Sequence, residues 1–204
     1  MNWQVTNRAD PQAALIADRH YTRQAVGSRQ FAPPGRCVVL IVPDAPVLWV
    51  SSWPYAQYVR HAWAGAWMCS LFRNEAPAHY LSSELIMQAV AATRACWGKP
   101  PKQGFVTFVD AGKVRHKRDP GRCYRRAGWE PVGYTQGGLI ALHLLPAHMP
   151  SPLVPLGFEQ SAFRDSVVCA SCGGVFFQQP RGRTATYCGD ACRQRARRSR
   201  LHLQ

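Results

Sequence analysis

Apolar positions along the chain change period several times, and each change marks an element. Residues 8–25 carry a helical pattern around Ala13-Ala14-Leu15-Ile16-Ala17, ending in Asp18-Arg19-His20-Tyr21. A Gly/Pro-rich loop, Gly27 to Gly35, follows. Arg36–Val42 and Pro46–Ser51 are β-branched runs around Pro43-Asp44-Ala45 and predict a hairpin. Residues 63–75 alternate as a strand, with Trp63, Gly65, Trp67, Cys69, Leu71 and Arg73 on one face. From Leu81 the period becomes helical through Leu85, Ala89, Ala92 and Cys96. Ser82-Ser83-Glu84 supplies its first turn and Gly98-Lys99-Pro100-Pro101 ends it.

Phe105–Val109 is a short continuous apolar strand that ends at Asp110. Asp119-Pro120 offers an N-cap and a first helical proline, and Gly128 a stop, which predicts a helix of about two turns. Residues 131–145 close as a hairpin turning at Gln136-Gly137-Gly138. Strands and helices alternating in the middle, with hairpins at both ends, predict an α/β domain with a mixed sheet flanked by helices. The proline-rich stretch that follows predicts a linker. The expected division is a main domain 1–146, a linker 147–164 and a small module 165–204.

Charge sharpens the picture. The 204 residues include 25 Lys and Arg against 11 Asp and Glu, a formal net charge of +14 and a pI near 10.0. Such a balance fits a polyanionic partner better than a small metabolite, because each cation placed on a phosphate releases condensed counterions. The basic residues concentrate in two places. Lys113, Arg115, Lys117, Arg118, Arg122, Arg125 and Arg126 face one acid, Asp119, within fourteen positions. Arg193, Arg195, Arg197, Arg198 and Arg200 crowd the C-terminal end. Both read as phosphate-backbone contacts.

Four of the eight cysteines, at 37, 69, 96 and 123, are scattered through apolar surroundings, where a thiol acts as a small hydrophobe. The other four pair closely as Cys169-Ala-Ser-Cys172 and Cys188-Gly-Asp-Ala-Cys192, fifteen residues apart. Thiolates at i and i+3 of a tight turn reach one ion, and the i, i+4 pair shares a helical face. This predicts a closed structural zinc site in a small treble-clef or ribbon module, with Val175–Phe177 and Thr184–Tyr187 as the hairpin between the pairs. Zinc thiolates, no signal peptide and no apolar run of about 18 residues predict a reducing cytoplasm and no membrane span.

The order strand, helix, strand, short helix, strand over residues 63–135 resembles the second half of a GNAT-type acyltransferase. In that fold the strand–helix junction receives a donor pyrophosphate at a helix N-terminus. Here the junction reads Phe72-Arg73-Asn74-Glu75-Ala-Pro-Ala-His79-Tyr80-Leu81-Ser82-Ser83, without the usual Gly-rich turn. The ordered set Asp18-Arg19-His20-Tyr21, Arg73-Asn74-Glu75, Asp110 and Gly121-Arg-Cys-Tyr124-Arg-Arg-Ala-Gly-Trp129 resembles the Mom family of phage DNA-modification proteins, over about residues 15 to 145.

That resemblance implies a transferase attaching a carbamoylmethyl-type group to the N6 amine of adenine in DNA, which protects it from restriction. It implies His20, Tyr21, Asp110 and Tyr124 as catalytic residues, and Arg73, Asn74, Ser82 and Ser83 around the donor, whose identity stays open. It also implies iron, for which His20, Asp110 and Tyr124 would be the ligands. Chemically, Asp110 or a neutral His20 would take the amine proton and Tyr124 would donate to the leaving group. Two other readings stand beside it: an acyl-CoA-dependent acetyltransferase of a protein or small amine, and a non-catalytic nucleic-acid-binding protein.

Overall fold

The computed structural model describes residues 1–28, 31–33, 35–54, 59, 62–114, 119–158, 166–177 and 185–201. The chain forms two compact units, residues 1–157 and 158–204. The proline-rich stretch expected to be a free linker from 147 therefore belongs to the first unit as far as Gly157. Leu156 pairs with the first strand through Val5 N–H to Leu156 O and Leu156 N–H to Trp3 O, 2.9 Å each. Leu153 N–H donates to Ala91 O at 3.2 Å.

The first unit is built on a seven-stranded mixed sheet: β1 (Gln4–Thr6), β2 (Arg36–Val42), β3 (Ala45–Trp53), β4 (Trp67–Asn74), β5 (Phe105–Val109), β6 (Glu130–Tyr134) and β7 (Ile140–Leu144). The spatial order is β1-β2-β3-β4-β5-β7-β6, antiparallel except for the parallel pair β4–β5. Among the described residues three α-helices accompany it: α1 (Pro11–Asp18), α2 (Ser82–Trp97) and α3 (Arg122–Arg126). Helix α1 is shorter than its apolar pattern suggests. Asp10 caps it by accepting from Ala13 N–H, and the chain turns at Arg19.

Strand β3 is buried on both faces, because helices cover both sides of the sheet. Ala13, Ile16 and Ala17 of α1 pack on Val39, Ile41, Leu48, Val50 and Leu71. On the opposite face Trp49 meets Phe72 and Phe105, and Trp67 meets Trp97 of α2. A buried hydroxyl chain crosses this layer: Trp49 Nε1 donates to Ser51 Oγ (2.7 Å), Ser51 bonds Thr93 (2.8 Å), and Thr93 donates to Ala89 O (2.8 Å). No helix among the described residues is long and apolar enough to cross a membrane.

One feature of β4 departs from strict alternation. Val50 pairs with Leu71 but Ser51 pairs with Cys69, so Ser70 is an extra residue, a β-bulge. The bulge changes which face the strand presents. Trp67 and Cys69 lie with Phe72 toward α2 and α3, whereas Leu71 joins the α1 cluster. Trp67, Cys69, Leu71 and Arg73 thus do not share one face.

Gly104, which leads into β5, sits at φ +65°, and an added Cβ would run into the Leu144 carbonyl of the neighbouring strand. Gly104→Ala combines left-handed strain with a backbone clash that no side chain can relieve. It is expected to cost roughly 3 kcal/mol and to lower the Tm of the first unit by roughly 10 °C, measurable by calorimetry.

The second unit contains β8 (Ser166–Val168) antiparallel to β9 (Val175–Phe177), and α4 (Asp190–Leu201). The hairpin therefore flanks the first cysteine pair instead of joining the two pairs. Ala185, Thr186 and Tyr187 are not in a strand.

Candidate functional site: a cleft between splayed strands, and a four-thiol centre

Strands β4 and β5 pair only over Trp67–Phe105, Met68–Val106 and Cys69–Thr107. Beyond the Ser70 bulge their C-terminal halves diverge. Open α/β sheets bind ligands at the carboxyl ends of such strands. The gap opens into a cleft of about 730 Å³ lined by both strand ends, by the turn after α1, by the start of α2 and by α3.

The His20–Tyr21 step lies across this opening. Toward β4, the Phe72 backbone carbonyl and the Arg73 guanidinium face the His20 imidazole. Toward β5, the Tyr21 hydroxyl meets the Asp110 backbone N–H. The two rings stack with centroids 4.4 Å apart. His20 Nδ1 lies 2.7 Å from the Thr22 hydroxyl and accepts from Thr22 N–H at 3.3 Å. Burial, with the Arg73 cation second, lowers the His20 pKa to about 4, so the imidazole is neutral at physiological pH. Burial raises the Tyr21 hydroxyl, which stays protonated.

Tyr124 forms part of the floor. Its ring packs against Phe72 and Trp129, and its hydroxyl sits 3.4 Å from Cys69 Sγ, with Thr107 also in reach. Burial raises the Tyr124 hydroxyl well above its ordinary value and pushes the Cys69 thiol up to about 12. Both are proton-bearing groups, and Cys69 is not a thiolate nucleophile. Gly121, at φ +79°, starts α3 where Asp119 was expected to cap it. A Cβ there would lie 2.8 Å from Leu142 Cδ1. Asp119 instead pairs with Arg125.

The donor-site candidates divide. Arg73 lines the cleft but pairs with Glu75, which also receives Arg19 Nε at 2.8 Å and Nη2 at 2.7 Å. Asn74 is fully used in shaping the strand–helix junction: its amide donates to Tyr80 O (2.8 Å) and Ser82 Oγ (3.0 Å), and its carbonyl accepts from Ala76 N–H (2.9 Å). Ser82 and Ser83 line the cleft at the N-terminus of α2, which has no side-chain cap. Arg122 and Arg126 of α3 are exposed along the same cleft.

Asp110 takes a different part from the expected one. Its Oδ1 accepts from Gly112 N–H (2.9 Å) and Lys113 N–H (3.2 Å), holding the turn after β5, and it is not among the residues lining the cleft. Arg115, Lys117 and Arg118 lie outside the described residues, while Lys113 belongs to that turn. Among the described residues the one convergent group of three or more His, Cys, Asp or Glu side chains is the four-cysteine group, so His20 and Asp110 form no such metal set. Asp110, held in its turn and outside the cleft lining, is not presented in one cleft with His20 and Tyr124 as an iron site on those three would need.

In the second unit Cys169, Cys172, Cys188 and Cys192 bring their sulfurs within 4.8 Å of one another. Cys172 and Cys188 are 3.7 Å apart, and Cys188 and Cys192 3.5 Å. A tetrahedral ion with ~2.3 Å bonds to sulfur needs edges of about 3.8 Å, so the four thiols fit one metal ion. The first pair sits on a knuckle closed by Gly173 N–H to Cys169 O and Cys169 N–H to Gly174 O, 2.9 Å each. Cys188 N–H points at Cys169 Sγ (3.3 Å), and Cys192 lies in the first turn of α4, whose N-terminal dipole favours thiolates. Among positions 190–198 of this helix Cys192 and Ala196 are the less exposed, and Arg193, Arg195, Arg197 and Arg198 are exposed.

The sequence pattern did not mark Thr22, Cys69, Thr107 and Cys123 as cleft residues, nor Arg19 as a partner of Glu75. Cys69 and Thr107 lie inside predicted strands and Thr22 and Cys123 inside predicted helices, and nothing in the hydrophobic pattern marks them as cleft residues. Comparison with protein families, curated proteins and solved structures found no match.

Proposed function

We propose that the first unit is a GNAT-like, Mom-like transferase that attaches a small carbamoylmethyl-type group to the N6 amine of adenine in DNA. The observation that carries this reading is the cleft between β4 and β5, holding a neutral imidazole and protonated tyrosines at the end of a parallel strand pair. The run β4, α2, β5, α3, β6 follows the order of that fold, which supports the likeness.

An exocyclic amine conjugated to a purine is a weak nucleophile, so a base must take its proton as the new bond forms. His20 has the protonation state for this, and its Nδ1 is reached through the Thr22 hydroxyl. Thr22 would accept the amine proton while passing its own to Nδ1. Tyr124, held protonated on the floor, would donate to the departing group. Arg73, Arg122 and Arg126, with the open N-terminus of α2, make the cleft electropositive, which suits a donor carrying phosphate or carboxylate. Asp110 would orient Tyr21 and the basic turn.

In the second unit we propose structural zinc on the four cysteines, with the arginines of α4 contacting the phosphate backbone of DNA. A unit of this size buries too little apolar surface to fold without a staple. Lys113, Arg115, Lys117 and Arg118 would add a second grip near the cleft and help hold a flipped base. Against the acyl-CoA acetyltransferase alternative stands the lack of a Gly-rich phosphate turn at residues 72–83 of this chain.

Mass spectrometry of nucleosides from cells expressing the protein tests the activity. A modified deoxyadenosine is expected. Unmodified adenine in cells containing soluble, folded protein would sink the proposal.

A further inference from the structure

We infer that Glu75 and Arg19 are positioning residues of the cleft: one carboxylate ties the end of α1 to the end of β4 and so fixes the His20–Tyr21 step across the opening. This deepens the transferase reading and concerns the same site.

The geometry is specific. Arg19 follows directly on α1 and donates twice to Glu75, through Nε at 2.8 Å and Nη2 at 2.7 Å. Its third nitrogen, Nη1, donates to Leu15 O at 2.8 Å, so the guanidinium is locked onto its own helix. The same carboxylate pairs with Arg73, two residues back on β4. Glu75 is itself fixed, since its N–H donates to Pro46 O of β3 at 3.1 Å. His20 is the residue after Arg19. With Arg19 held by the clamp, the imidazole that follows it faces the Phe72 carbonyl and Arg73.

The turn after His20 is pinned separately. Asp18 accepts from Arg23 Nε at 2.6 Å and from Gly27 N–H at 3.0 Å. The charges around His20 are therefore accounted for: Arg19 and Arg73 share Glu75, Asp18 takes Arg23, and Arg73 is the cation acting on the ring. Two arginines on one carboxylate leave a net positive charge beside the cleft. Arg19 first, then Arg73, hold the Glu75 carboxyl down at about 2. The clamp is thus intact throughout the range in which His20 titrates, and it would be lost only as pH falls through that low value.

The test is an NMR titration of His20 in the full chain, which needs neither donor nor DNA. In the native protein the imidazole stays neutral until about pH 4. In Arg19→Gln the step loosens, water reaches the ring, and the midpoint is expected to rise by at least about one unit toward the ordinary ~6.5. Glu75→Gln releases Arg19 as well and is expected to raise the midpoint by a smaller amount, because Arg73 loses its counter-charge. It also keeps the test alive if the first variant does not fold.

A midpoint still at about 4 in both folded variants overturns the clamp. The first unit's Tm should change little, because pairs this exposed stabilise weakly. Failure of this titration leaves the transferase reading untouched, and failure of the nucleoside assay leaves the clamp untouched.

Discussion

On the proposed four-cysteine metal site, removing the ion is expected to unfold the second unit while the first unit stays native. The described part of that unit is a three-residue hairpin, a knuckle and one helix whose exposed face is mostly arginine. Its least exposed side chains include Cys169 and Cys192 themselves. Without an ion, four thiols would crowd at sulfur–sulfur separations as short as 3.5–3.7 Å with little apolar surface to hold them. Structural zinc in small modules supplies about 10–16 kcal/mol of apparent folding free energy, more than such a unit can replace.

A strong chelator, or Cys188→Ser, is expected to collapse the amide dispersion of Gly173, Gly174 and Arg193 in an NMR spectrum. The first unit's own core runs from Trp3 to Met149, so its thermal transition should stay in place. Dispersed signals from the second unit after verified metal removal would show that the metal is not what folds it.

That unit was legible because metal geometry is written in local spacing. A knuckle and a helical turn each constrain residues three or four apart, and no long-range information is needed to see that four sulfurs converge. The hairpin was misplaced for the same reason in reverse. Strand pairing is not local, and Thr184–Tyr187 matched the pattern as well as Ser166–Val168 did. In the first unit the strong periods of α2, β2, β3 and β5 carried through to within a few residues, because the three strands are buried along most of their length and α2 buries one face at a regular helical period.

The cleft was only half legible. His20, Tyr21 and Tyr124 do line one cavity. What assembles them is the Ser70 bulge and the divergence of β4 from β5, and neither leaves a mark in the hydrophobic pattern. Asp110 illustrates the limit. A strand-end carboxylate looks the same in sequence whether it faces a substrate or accepts two N–H groups from the next turn. Arg73 and Glu75 were visible as neighbours, but Arg19 joins them from 56 positions away.

The cleft geometry also predicts how the two candidate bases separate. In cells assayed for modified deoxyadenosine, His20→Gln and Tyr124→Phe are each expected to lower the yield by about 10²–10⁴-fold, and Asp110→Asn by less than about tenfold. The reasons are structural. Asparagine keeps a side-chain oxygen for Gly112 and Lys113 N–H, so the turn after β5 survives, and the lost charge lies outside the cleft lining.

Tyr124→Phe keeps the ring contacts with Phe72 and Trp129 and removes only the hydroxyl facing Cys69 and Thr107. The stability cost should be about 1 kcal/mol, too small to explain a large loss of product. His20→Gln preserves a hydrogen-bonding side chain but cannot take up a proton from Thr22. If Asp110→Asn abolishes modification while His20→Gln leaves it near the native level, the base is the carboxylate and the β5 turn must open to expose it. If Tyr124→Phe retains full yield, its hydroxyl serves packing alone, and proton donation has to come from another phenol lining the cleft, Tyr21 or Tyr80.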